Sequence, residues 1–112
     1  MKYAIPVSNG VMAQHFGYCE QFALIDVDEE KRTIVNKEIV PSPGHQPGLL
    51  PAWLAEQGAS VIIAGGMGSR AQDLFQQSHI KTVVNTLESD PEKAVLSYLS
   101  GILTTGDSIC DH

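Results

Sequence analysis

The chain has 112 residues, of which 43% are hydrophobic and 18% charged, so it fits one globular domain with a real core and is too short for two. Seven Lys and Arg against thirteen Asp and Glu give a formal net charge of −6, the wrong sign for a protein that neutralises a phosphate backbone. No apolar stretch approaches bilayer length, and the N-terminus lacks the apolar core of a signal peptide. We therefore expect a cytoplasmic protein that binds neither nucleic acid nor membrane, with free cysteine thiols.

The first half of the chain predicts three strands, at about residues 3–7, 22–27 and 33–39. Ser8-Asn9-Gly10 ends the first strand and opens a loop that runs to about Tyr18. Phe22 and Leu24 alternate with polar or outward residues in the second strand. The acidic turn at residues 28–31 joins the second and third strands, so we expect a β-hairpin.

The second half of the chain contains a further loop and two more strands. Pro and Gly are so dense in residues 41–48 that no regular element can hold there, which predicts an exposed loop with His45 in its middle. Residues 60–64 form a continuous apolar run, the pattern of a central strand covered on both faces. Residues 81–84 predict a last short strand.

Three helices are predicted from apolar residues at helical spacing. The first covers residues 49–57, and the second begins at Ser69 or Arg70, where Ser69 and Gln72 stand at capping-box spacing. The third ends at Gly101 and is expected to bury one apolar stripe. That stripe consists of Val95, Leu96 and Leu99.

The order β, ββ, α, β, α, β, α predicts an α/β domain with a mixed five-stranded sheet flanked by helices. We expect residues 1–103 to form this single domain and residues 104–112 a flexible C-terminal tail. Ligands of open α/β sheets bind outside the carboxyl ends of the parallel strands. The loops that hold His15 and His45 and the turn at residues 65–68 are expected to meet at that edge.

The turn Gly65-Gly66-Met67-Gly68 closes a buried strand and opens a helix. Its backbone N–H groups lack the cover of Cβ atoms, and the new helix adds partial positive charge, so the turn favours an anion. Arg70 is unfavourable for the helix dipole in a first turn, which indicates a role toward a negative ligand. The alternative is that the glycines only permit tight packing. Residues 66–71 also match a dinucleotide fingerprint, but no acidic residue ends the next strand.

Most His and Cys residues fall in predicted loops or in the tail, where they are candidate metal ligands. These candidates are His15, Cys19, His45, Cys110 and His112. Met12 and Met67 are expected to form apolar walls rather than ligands. No acid–base pair or activated nucleophile stands out, so we expect no enzymatic activity.

These motifs together resemble the dinitrogenase iron-molybdenum cofactor family, over about residues 2–102. The resemblance rests on His15-Phe16-Gly17, the Gly44-His45 loop, and the run 61–68 followed by Arg70-Ala71. It implies a ribonuclease-H-like fold without nuclease activity, which binds anionic metal–sulfur clusters or their precursors. The cluster contacts that carry over are His15, His45, Gly66, Gly68 and Arg70. Tyr18-Cys19 departs from the commonest loop of the family, which makes Cys19 a candidate for an extra ligand.

Three functions remain open at this point. The first is a non-enzymatic carrier or scaffold for an iron–sulfur or molybdenum-containing cluster, which would exchange its cargo with donor and acceptor proteins of cluster assembly. The second is a regulatory domain that binds a nucleotide or phosphate at residues 65–70, for which ATP or NAD would raise the melting temperature. The third is an interaction module whose loops form a partner or dimer surface.

Overall fold

The computed structural model describes residues 1–13, 20–43, 49–84, 86 and 88–101. Within these ranges it has six strands and three helices. The strands are β1 (Lys2–Ser8), β2 (Val11–Met12), β3 (Gln21–Asp28), β4 (Thr33–Pro41), β5 (Ala59–Ile63) and β6 (Lys81–Val83). The helices are α1 (Leu49–Glu56), α2 (Ser69–Gln77) and α3 (Pro91–Leu99). In this part of the chain, none of the helices has the length and apolar character needed to span a bilayer.

The strands form one mixed sheet in the order β4-β3-β1-β5-β6, with β2 paired to β1 outside this path. β1, β5 and β6 are parallel, whereas β3 is antiparallel to both β1 and β4. The mixed α/β sheet and the β3–β4 hairpin are therefore confirmed, with six strands in the described residues where the sequence predicted five. The ribonuclease-H-like topology remains a prediction. The boundary between domain and tail also remains one, since residues 102–112 lie outside the described part.

The strand missing from the prediction is β2, which folds back on β1 through a two-residue turn. Asn9 and Gly10 both have positive φ, 56° and 83°, the conformation of a type I′ hairpin turn. Val7 pairs with Met12 across this turn. The predicted loop from Ser8 is therefore wrong at its start, where Asn-Gly forms a hairpin.

Helices cover both faces of the sheet. α3 packs on one face, where Ala94 and Val95 join a core of β1, β3 and β5 side chains. α1 and α2 pack on the other face through Leu54 and Phe75. β3 lies between β1 and β4 in the sheet and contributes to both cores, so its residues 22–25 are all buried. The alternating exposure predicted for this strand is therefore wrong.

α3 ends at Leu99 with Ser100 as its C-cap, and Gly101 follows as the residue that the sequence predicts to stop it. The φ of 75° at Gly101 suits glycine, and its N–H donates to the Tyr98 carbonyl at 3.1 Å. Its predicted apolar stripe is wrong at Leu96, which is 39% exposed. Residues 94, 95, 98 and 99 repeat at helical spacing and share the packed face, and Leu96 lies beside them.

Candidate functional site

The parallel strands β1 and β5 separate before their carboxyl ends. Their pairing ends at Ala4 opposite Ile62. β3 occupies one side of β1 as far as Val7, so β2 takes the other side, the one that β5 has left. On its far side, β2 is bonded to the connection between β6 and α3, because the Met12 N–H donates to the Ser89 carbonyl at 2.7 Å. The divergence of β1 and β5 thus forms a candidate crevice, between β2 and the end of β5, at the edge where α/β sheets usually bind ligands.

The flanks of both predicted histidine loops lie at this edge. The Ala13 N–H donates to the Pro6 carbonyl at 2.9 Å and the Glu20 N–H to the Val7 carbonyl at 3.2 Å, so both ends of segment 14–19 are fixed on β1. The Ser42 N–H donates to the Glu20 carbonyl at 3.0 Å, which brings the entrance of segment 44–48 beside them.

The metal-ligand candidates themselves lie in segments outside the described residues, so their roles stay predictions. They are His15, Cys19, His45, Cys110 and His112.

The turn after β5 is fixed at its start and open at its end. Ala64 donates its N–H to the Val83 carbonyl at 2.8 Å and accepts the Thr86 N–H at 3.1 Å, so the turn begins on a rigid support. Gly65 is buried, Gly66 and Met67 are half-buried, and Gly68 and Arg70 are exposed. Met67 is half-buried and packs against the core beneath α1 and α2, and Met12 is only 6% exposed, so both methionines contribute to the core.

α2 begins at Ser69, as predicted, but without the capping box. Its N-cap is Gly68, in an extended conformation (φ −66°, ψ 153°), so Ser69 is already helical. The Gln72 side chain, expected to complete the box, instead donates from Nε2 to the Met67 carbonyl at 3.0 Å. The first helical bond runs from the Gln72 N–H to the Gly68 carbonyl, so the N–H groups of residues 69–71 precede the helical ladder.

The N-terminus of α2 carries uncompensated positive charge. No side chain of the described part caps it, and its first turn contains no acidic residue. α3 starts at the same edge and is the opposite case, since the Asp90 carboxylate accepts the N–H groups of Glu92 and Lys93 and Glu92 adds negative charge to the first turn. An anion that approaches this edge therefore finds an open helix end at α2 and an occupied one at α3.

Neither the backbone conformation nor the packing at position 68 requires a glycine. Its φ of −66° is open to any residue, and a Cβ atom built there meets nothing within 4 Å. The alternative that the glycines only permit tight packing therefore fails at this position. What the missing side chain does provide is free access to the first turn of α2.

Thr86, which follows β6, is a further candidate that the sequence motifs do not predict. Its side chain is 8% exposed, and its Oγ1 is buried without a hydrogen-bond partner among the residues that the structure describes. A polar residue just beyond the carboxyl end of a parallel strand is the signal that could have identified it, since ligands of open α/β sheets bind at this edge.

The described residues offer anion-binding groups rather than metal ligands. Within residues 1–13, 20–43, 49–84, 86 and 88–101, no three His, Cys, Asp or Glu residues are grouped to hold a metal ion. His79 is the one histidine in these ranges, and it is exposed just after the C-terminus of α2, at the other end of the helix from Gly68. The candidate site thus consists of backbone N–H groups and Arg70, beside the flanks of the two histidine loops.

Comparison with known proteins identifies the family of the chain. Residues 1–101 match the dinitrogenase iron-molybdenum cofactor family. An uncharacterized protein of Methanocaldococcus jannaschii is 33% identical over 109 residues, which cover 92% of this chain and 89% of that protein.

Solved structures share the fold. The crystal structure of PH0822 superposes with a TM-score of 0.87 at 23% identity over the whole of both chains. The apo form of the orange protein from Desulfovibrio gigas superposes with a TM-score of 0.69 at 25% identity, over 94% of this chain and 92% of that one. On the family match and the M. jannaschii relative, this chain belongs to the dinitrogenase iron-molybdenum cofactor family.

Proposed function

We propose that this protein is a non-enzymatic carrier or scaffold for an anionic metal–sulfur cluster that contains iron and sulfide or molybdenum. The observation that carries the proposal is the open N-terminus of α2, which follows the glycine turn directly and lacks a capping side chain within the described residues. Membership of a family named for the iron-molybdenum cofactor supports a cluster as the anion.

In this proposal one set of groups donates hydrogen bonds to the cluster and another set binds its metal. The N–H groups of residues 69–71 and the Arg70 guanidinium receive the sulfido or oxo atoms of the cluster, because these donors stabilise negative charge. His15 and His45 bind the metal of the cluster, with Cys19, Cys110 and His112 as further ligands. Gly65, Gly66 and Met67 form the wall behind the cluster.

A carrier must release its cargo, and the geometry around Gly68 suits exchange. The space above this residue is open, and Gly68 and Arg70 are both exposed, so a donor or acceptor protein can reach a cluster bound there. The net charge of −6 opposes the binding of any anion at long range, so the local helix end and Arg70 must supply the attraction.

The proposal is tested by anaerobic reconstitution. Purified protein is mixed with iron and sulfide, or with tetrathiomolybdate, and then passed through a desalting column. We expect new charge-transfer absorption and metal that stays with the protein. If neither probe produces absorption or retained metal, the carrier proposal is wrong, and a melting temperature raised by ATP or NAD would then favour the phosphate-binding alternative.

Matched variants locate the site. Arg70→Ala is expected to weaken tetrathiomolybdate binding about tenfold, the effect of one lost charge-assisted hydrogen bond. Lys93→Ala is the control, because Lys93 is also an exposed cation in a first helical turn at this edge, but its helix is capped by Asp90. His15→Ala is expected to reduce metal retention. Equal losses in Arg70→Ala and Lys93→Ala would mean that the anion responds to general charge rather than to α2.

A further inference from the structure

The hydroxyl of Thr86 is buried and makes no hydrogen bond to any of the described residues. A buried hydroxyl that makes no hydrogen bond destabilises a protein, and native structures contain few of them. Thr86 is 92% buried by its exposed fraction of 8%, and its Oγ1 has no partner in the described ranges. Valine has nearly the same shape and would fill the position without burying a polar atom.

Backbone hydrogen bonds fix Thr86 at the crevice. Its N–H donates to the Ala64 carbonyl at 3.1 Å, so it lies beside the residue from which the glycine turn departs. Three residues later, the Ser89 carbonyl accepts the Met12 N–H at 2.7 Å, which fixes the same connection against β2. Thr86 therefore lies between the two structures that border the crevice, the turn toward α2 and the β1–β2 hairpin.

We infer that the Thr86 hydroxyl donates a hydrogen bond to the bound anion, as a ligand-contacting residue in addition to the N-terminus of α2. The inference rests on the proposed function, since it assigns a further contact in the same site. A hydroxyl donates readily to a sulfido or oxo atom, and a donor fixed by burial loses little freedom on binding. In the absence of ligand, the same hydroxyl stays unpaired and destabilises the protein.

Thr86→Val and Thr86→Ser test this inference against tetrathiomolybdate, followed by absorption titration and by thermal unfolding with and without the probe. We expect Thr86→Val to weaken binding about tenfold, as for one lost hydrogen bond to a charged group, while Thr86→Ser stays close to wild type. The melting temperature of ligand-free Thr86→Val should equal or exceed that of wild type, because no paired hydroxyl is lost. Thr82→Val, in the body of β6, is the control and should bind normally.

The two readouts separate the possible failures. Wild-type affinity in Thr86→Val would overturn the inference and leave the carrier proposal intact. A lower ligand-free melting temperature, or failure of Thr86→Val to fold, would show that the hydroxyl is paired within the protein, which also overturns it. If wild type binds neither tetrathiomolybdate nor iron and sulfide, the proposed function fails, and the role of Thr86 fails with it.

Discussion

Gly68→Ala is the substitution that separates binding from folding most cleanly. The backbone at Gly68 is extended, and the added methyl group meets nothing within 4 Å, so neither strain nor a clash is expected. Alanine is a poorer N-cap than glycine, which destabilises the folded protein by several tenths of a kcal/mol. Alanine also restricts the unfolded chain, which stabilises the folded protein by about 0.4–1 kcal/mol. We therefore expect a free energy of unfolding within about 0.5 kcal/mol of wild type, or about 3 °C in melting temperature.

Binding should respond much more strongly, because the methyl group stands over the helix end. About half a positive charge at a helix N-terminus attracts a dianion by about 4 kcal/mol at about 4 Å, with an effective dielectric constant of about 20. A methyl group that holds the ligand about 1.5 Å further away reduces this attraction by about 1 kcal/mol, and the direct N–H contacts weaken as well. The expected result is tetrathiomolybdate affinity lower by about tenfold.

Gly58→Ala provides the opposite pattern. Gly58 follows α1 with a φ of 86°, where a side chain is strained, and it lies at the far edge of the sheet. We expect Gly58→Ala to lower the free energy of unfolding by about 1–2 kcal/mol and to leave binding unchanged. Urea denaturation and absorption titration measure both quantities. Unaltered affinity in Gly68→Ala would refute the assignment of the anion to the N-terminus of α2.

Two further predictions concern stability away from the proposed anion site. Asp90→Ala removes the cap of α3 and should lower the free energy of unfolding by about 1 kcal/mol in urea, while tetrathiomolybdate affinity stays unchanged. Burial, reinforced by the nearby Tyr98 and Glu29, raises the pKa of Tyr3 above its usual 10.0. The folded protein therefore binds this proton more tightly than the unfolded chain, so the contribution of Tyr3 to stability is fully present below about pH 10 and is lost as the pH rises further. Tyr3→Phe should flatten this alkaline decline in pH-dependent unfolding, and an unchanged slope would contradict the assignment.

Local patterns in the sequence were sufficient for the elements that form the open turn. The strand predicted at residues 60–64 is β5, which begins and ends one residue earlier. α2 begins at Ser69, one of the two expected positions. Such features depend on hydrophobic periodicity and on glycine, which act over a few residues. The Asn9-Gly10 hairpin has an equally local signal, because this dipeptide is typical of a type I′ turn, and the predicted loop is wrong there.

Other features depended on contacts that no local pattern contains. Spacing alone favoured Ser69 as a cap, but Gln72 bonds to the Met67 carbonyl and leaves that role to Gly68. Thr86 can be recognised only from its burial, which depends on contacts of the connection between β6 and α3 with Ala64 and with β2 in three dimensions. The sites at His15 and His45 remain predictions, although the described flanks of their loops lie at the expected edge.

The contrast between the two helix ends explains how an acidic protein can select one place for an anion. Both α2 and α3 start at the carboxyl edge of the sheet, so position alone does not distinguish them. Asp90 and Glu92 neutralise the end of α3, whereas the first turn of α2 contains Arg70 and no acid. An aspartate in the place of Gly68 would close the second end in the same way. In the proposed function, a single glycine therefore leaves the N-terminus of α2 open to a negative ligand, whereas the N-terminus of α3 is closed by Asp90.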